Sequence, residues 1–227
     1  MGVNFIISHL LGREDCKHHI LRKRIIRNLY CNIMHLRCWD SMETINYKGY
    51  FISVGVYSLP SKDISIDIER LLNELSKNTA VVEIFRSDFI ISLKQIYFAA
   101  ISAINAFNSK TNIARSLGIE ILLRLSSETQ INQAIKKVGV NRDLNEVGVC
   151  IVAKNVNELV ELSNKLLQEI NGVELTEESL HSLERVYKAL EFYNIKQEEI
   201  ESIQARDLYE AALFLVLERI ATVDIER

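Results

Sequence analysis

Residues 80–107 read AVVEIFRSDFIISLKQIYFAAISAINAF. The first six, Ala80 to Phe85, form a short apolar run broken only by Glu83, the composition of a buried strand. From Phe89 to Phe107, 14 of 19 residues are apolar, which suits a helix over 88–106 and falls just short of the length of a bilayer span. Lys94 and Gln95 would sit in the hydrocarbon, Ser102 and Asn105 would add to the cost, and one central Lys alone costs about 3 kcal/mol. The stretch is therefore expected as a core helix, and no membrane association is expected. A buried strand feeding a buried helix points to a mixed α/β chain.

Working outward, YKGYFISVGVY (47–57) is rich in aromatic and β-branched residues and is broken by Leu59-Pro60-Ser61, so it predicts a strand. Ile64, Ile68, Leu71, Leu72 and Leu75 have the spacing of an amphipathic helix. On the other side, the run from Ile119 to Leu125 predicts a third strand. Ser127 with Gln130 forms a capping box for a helix with Ile131, Ala134, Ile135 and Val138 on its apolar face, stopped by Gly139. Val147 to Val152 predicts a fourth strand. Asn155 with Glu158 opens a helix bearing Val156, Leu159, Val160, Leu167 and Ile170, which ends at Asn171-Gly172. Thr176 opens another through Leu180, Leu183, Tyr187 and Leu190, and the last helix runs from about Arg206 to Thr222. No segment repeats at a solenoid period. The expected fold is mixed α/β, a small sheet of about four strands covered by several helices, with 42–227 as one domain.

The chain has 227 residues, 48% hydrophobic and 25% charged, the balance of a folded protein rather than a disordered one. With 8 Gly and 1 Pro there is no flexible linker and no glycine-rich phosphate loop. The net charge of −3 conceals an uneven distribution: +4 over residues 1–41, −2 over 42–85, +4 over 86–141 and −9 over 142–227. A basic middle beside an acidic end can serve two different partners. Residues 1–41 hold Cys16, Cys31, Cys38, His9, His18, His19 and His35. There is no Cys-x-x-Cys pair, and the spacing of Cys16, His18 and Cys31 matches no common zinc module. This part is expected to be a basic extension of a cytoplasmic protein without metal or disulfide; Met34 and Met42 leave open a start further along. The opening residues lack the charged n-region and cleavage site of a signal peptide.

The inventory for catalysis is poor. His181 is the one histidine beyond the extension and lies on the polar side of a helix. Cys150 falls in an apolar strand, where a thiol behaves as a small hydrophobe. The pairs Glu177-Glu178 and Glu198-Glu199 stand in first helical turns, where they favour the helix dipole. Two features remain. Lys110, Arg115, Arg124, Lys136, Lys137 and Arg142 outnumber Glu120 and Glu128 over residues 108–142, as either a soluble surface or a phosphate-binding face. The last helix has two apolar stripes, one of Leu208, Ala211, Ala212 and Leu215 and one of Leu213, Val216, Leu217 and Ile220. Either it is sandwiched inside the fold or one stripe meets a partner.

The order of segments resembles the small accessory subunit of the KEOPS complex, the family that binds a PRPK-type protein kinase. The resemblance is carried by the long apolar helix followed by Lys110, Thr111, Arg115 and Ile119-Glu120-Ile121. It continues through Leu125-Ser126, Ile131, Ala134, Lys137, Gly139 and Val140, the last standing where the family has Ile. It runs from about Tyr47 to the C-terminus and is densest over 86–142; the final helix matches in position, and residues 1–41 have no counterpart. It implies an α/β domain that is not an enzyme, needs no cofactor and has no small-molecule substrate of its own. It further implies docking on a kinase-like ATPase subunit in the complex that makes threonylcarbamoyl-adenosine in tRNA, and a part in holding the tRNA's single-stranded 3′ end. On this footing Lys110, Arg115, Arg124, Lys136, Lys137 and Arg142 are the expected tRNA contacts, and Ala212, Leu213, Leu215, Leu217 and Ile220 the expected partner interface. A stand-alone RNA-binding protein and a small-molecule enzyme are the competing expectations.

Overall fold

The chain turns back on itself at Lys48-Gly49, both with positive φ (51° and 81°), the backbone of a two-residue hairpin turn. The strand expected over 47–57 is thereby divided into β1 (Ile45–Tyr47) and β2 (Tyr50–Ser58), paired antiparallel. These coordinates are a computed structural model, which describes residues 44–59, 80–140 and 144–223, all within the 38–227 unit of the chain. The extension over 1–41 and its boundary, the helix expected over 64–75 and Arg142 lie outside the described residues.

β3 (Val81–Arg86) and β4 (Glu146–Ala153) complete an antiparallel sheet of order β1-β2-β4-β3. Between them the chain forms α1 (Leu93–Ser109), α2 (Leu117–Ser126) and α3 (Ile131–Val138). After β4 come α4 (Val156–Ile170), the two-residue strand β5 (Val173–Glu174) on the end of β2, α5 (Glu177–Leu180), α6 (Leu183–Phe192), α7 (Gln197–Ser202) and α8 (Leu208–Thr222). The mixed α/β class with a small sheet under helices is as expected.

The sheet is covered on both faces. On one, Tyr57, Ile84, Val147, Val149 and Ile151 pack against Leu159, Leu162, Leu166 and Ile170 of α4. On the other, α1 lies over β2 and β4, and α2 over β3. Since α1 also touches α2 and α8, its Ile96, Phe98, Ala99, Ala100, Ala103 and Ile104 are all buried. Each large side chain of this kind contributes about 1.5–3 kcal/mol on burial. Ser92 caps α1 in a box with Gln95, so the helix begins five residues later than the apolar run suggests. Among the described residues, no helix is long and apolar enough to cross a membrane.

Four expectations are corrected. The run Ile119 to Leu125 is α2, not a strand: Ser116 accepts the Ile119 N–H and opens a helix whose residues are nearly all buried, and such a helix has no polar stripe for periodicity to detect. Ser127 ends α2 in the left-handed conformation (φ 56°) and does not cap α3, which starts at Gln130 without a side-chain cap. The helix expected from Thr176 onward is broken, because Ser182 caps a new one by accepting the Arg185 N–H. Finally, Val156, Val160, Leu183 and Tyr187 are exposed; the buried faces are instead Leu159–Leu162–Leu166–Ile170 on α4 and Val186–Ala189–Leu190 on α6.

Candidate functional site

The loop from Lys110 to Ser116 joins α1 to α2 and carries two of the expected cations. Lys110 closes α1 with φ 56°, its N–H turned to the carbonyls of Ala106 and Phe107. The Asn112 side-chain amide donates to the Ala114 carbonyl (2.8 Å). The N–H groups of Ile113 and Ala114 both donate to Glu120 Oε2, at 2.8 and 2.7 Å. Glu120 Oε1 in turn accepts from Arg124 Nε (3.2 Å) and Nη2 (2.8 Å). Both side chains of this i,i+4 pair have 0% exposure. Ala114 packs with Leu123 and Ala134, joined by Ile113 and Ile119, so the loop, α2 and α3 share one small core.

This geometry sorts the six expected RNA contacts. Lys110, Arg115 and Lys136 are exposed and form no ion pair with a described residue. Arg124 is corrected from a phosphate contact to a buried structural cation, because its guanidinium is enclosed and bound to Glu120. Lys137 is half-buried and engaged. Its ammonium donates to the Ser126 carbonyl (2.9 Å) and to Glu128 (3.0 Å), and lies 4.7 Å from the centre of the Phe192 ring, which stacks on Phe89 at 3.8 Å. On α3, Ile131 and Ile135 stay 39% and 45% exposed beside Lys136.

α8 is the sandwiched helix, one of the two outcomes its stripes allowed. It packs against α1, α2, α6 and α7, and Ala212, Leu213, Leu215, Leu217 and Ile220 are all buried within the unit. These five side chains offer no surface to a partner, which corrects their expected role. The exposed large apolar side chains nearest in the chain are Leu183 and Tyr187 on α6, 64% and 61% exposed. Arg185 anchors that helix from beneath, donating to the carbonyls of Ser87 (3.1 Å) and Ile90 (3.2 Å) and pairing with Glu146.

Several groups are tied into the structure in ways the sequence does not announce. Glu177 reaches back from α5 to the start of α1, accepting from the Ser92 hydroxyl and from the Leu93 N–H (3.0 Å). His181 lies 3.7 Å from Glu177 and against the Tyr209 ring. Glu199 takes the Lys196 N–H and the Arg219 guanidinium. Glu83, on β3 opposite Cys150, is largely enclosed over Gly118, where a Cβ would come within 1.7 Å of its Oε1. Burial pushes the Glu83 carboxyl up to about 7 and raises the Cys150 thiol. Among the described residues no group of three His, Cys, Asp or Glu is placed to hold a metal ion.

A family model described as kinase binding protein CGI-121 matches residues 63–224. The chain belongs to that family. The CGI-121 match takes in the 110–116 loop and α1 to α8, and so bears out the resemblance in segment order. The chain is 27% identical to a Methanocaldococcus jannaschii protein named regulatory protein Cgi121, over 141 residues that make up 61% of this chain and 92% of that relative. It is 40% identical to a Pyrococcus abyssi protein named KEOPS complex subunit Cgi121, over 81 residues, 36% of this chain and 44% of that relative.

Proposed function

We propose that this chain is a non-catalytic accessory subunit of a KEOPS-type complex that modifies tRNA, holding a kinase-like ATPase subunit and the RNA. The family match over residues 63–224 carries this reading, and the name of the Pyrococcus relative supports the complex. The enclosed Cys150 and the surface His181, engaged by Glu177 and Tyr209, are in keeping with a subunit that leaves chemistry to others.

On the kinase side, α8 is the support and α6 the outer layer, with Leu183 and Tyr187 as the apolar anchors that a partner would cover. On the RNA side, Lys110, Arg115 and Lys136 are the phosphate contacts, and the unpaired 3′ end of tRNA is the preferred target. The test is co-expression with the KEOPS kinase subunit of the same organism. Leu183→Glu/Tyr187→Glu is expected to abolish co-purification with no loss of melting temperature, since both sites are exposed; retained binding places the docking surface elsewhere. With three single-stranded phosphate contacts, log affinity for tRNA falls against log salt with a slope of roughly −2.

A further inference from the structure

We infer that the buried Glu120–Arg124 pair is a positioning device for RNA binding, holding the 110–116 loop so that Lys110 and Arg115 face outward together. The inference rests on the RNA-binding reading above and assigns to this pair a role in it.

The argument starts from cost. Two charges taken out of water gain little net stability from each other, and a pair of well-packed apolar side chains often does as well. A fully enclosed pair inside an otherwise apolar helix therefore calls for another use, and the loop supplies one. Its backbone must turn sharply between α1 and α2, and two successive N–H groups, those of Ile113 and Ala114, face inward. An inward N–H without an acceptor is costly. A single side-chain oxygen, Oε2 of Glu120, satisfies both, with bonds of 2.8 and 2.7 Å. Arg124, one helical turn further along, holds the second oxygen of Glu120. The anchored turn then lies between Lys110 and Arg115, both exposed, while Ala114 seats the loop on the core that also holds α3. Without that anchor each phosphate contact would pay the entropy of ordering the loop on binding.

The test compares the parent and three variants of the full chain in binding an unmodified tRNA transcript. Glu120→Leu/Arg124→Leu removes the acceptor while keeping the site filled. Glu120→Gln/Arg124→Met removes both charges but retains a carbonyl oxygen for the loop. Lys110→Glu/Arg115→Glu removes the contacts themselves. In the leucine form, amide exchange at Ile113 and Ala114 is expected to speed up about tenfold or more. Its tRNA affinity is expected to fall about tenfold, with a salt slope shallower by roughly one. The glutamine form is expected to restore most of both, which a purely structural loss would not. If the leucine form does not fold, Glu120→Asp, which keeps the charge and pulls the carboxylate back by about one bond length, is expected to give the same two changes. A loop that exchanges faster yet binds tRNA with unchanged affinity and slope overturns the inference, as does unchanged exchange in the leucine or aspartate form. Unchanged tRNA affinity in Lys110→Glu/Arg115→Glu overturns the RNA reading itself, a result separable from the other two.

Discussion

Two segments that the sequence singles out, Ile119 to Leu125, read there as a strand and noted for its arginine, and the last helix, noted for its apolar surplus, are the buried helices α2 and α8, enclosed by opposite means. α8 is enclosed through side chains such as Ala212, Val216, Leu217 and Ile220, which need only neighbours of the right shape. α2 is enclosed with an ion pair inside it, Glu120 and Arg124, each at 0% exposure. An apolar contact can be lost piecemeal, whereas a buried charge depends on its partner being present. Neither a surplus of apolar residues nor an arginine in a basic segment is by itself a sign of a surface.

The sharpest way to break this comparison is to remove one charge. Arg124→Leu leaves Glu120 enclosed without its cation and is expected to cost about 3–5 kcal/mol in chemical denaturation. The double variant Glu120→Leu/Arg124→Leu should recover most of that, and a single variant no worse than the double would erase the distinction. Leu217→Ala, in the apolar helix, is expected to cost about 2–4 kcal/mol by opening a cavity, with no rescue from any neighbouring change of charge.

Glu83 is an intermediate case, an enclosed carboxyl that pairs with no cation among the described residues. Its folded-state value is raised from 4.5 to about 7, so the folded protein holds this proton more tightly than the unfolded chain does. The contribution is fully present below about pH 4.5 and is lost as pH rises through about 7, amounting to about 3 kcal/mol. Melting curves of the parent and of Glu83→Gln between about pH 5 and 8 should diverge, with the variant losing less stability toward alkaline pH. Parallel curves would mean that the carboxyl titrates normally.

Smaller effects separate tethered from free groups. Glu177→Ala removes the acceptor for Ser92 and the Leu93 N–H at the start of α1 and is expected to cost about 1 kcal/mol, read as a shift of the thermal midpoint. Lys137→Glu should destabilise by a similar amount, about 1 kcal/mol, since it loses Glu128, the Ser126 carbonyl and the Phe192 ring. Lys136→Glu, one residue earlier and exposed, should stay within about 0.5 kcal/mol of the parent. Equal effects at 136 and 137 would contradict the engagement of Lys137.

Element ends were legible at some side-chain caps and not at others: those around α4 were read, whereas Ser92, Ser116 and Ser182, which cap α1, α2 and α6, were not. Asn155 caps α4 and Asn171 ends it, and Gly139 follows α3 as its C-cap. These are interactions within a few residues, so sequence order contains them. The hairpin turn was missed because Lys48 adopts positive φ where Asn, Asp or Gly is the usual signal. The candidate loop was legible as basic through Lys110 and Arg115, and the Glu120–Arg124 spacing was visible too. Its burial was not, because a salt-bridged pair four residues apart reads the same on a wet face as on a dry one.

The sequence by itself determined that the chain folds as mixed α/β, that β4, α1, α4 and α8 form, and where charge and apolar residues concentrate, since composition, caps and short-range periodicity are local properties. Only the tertiary structure decided that Ile119 to Leu125 is a helix, that Arg124 is enclosed, that both stripes of α8 are used within the unit, and that Leu183 and Tyr187 remain outside. Each of these depends on how many sides of an element are covered, and coverage is supplied by residues tens of positions away along the chain.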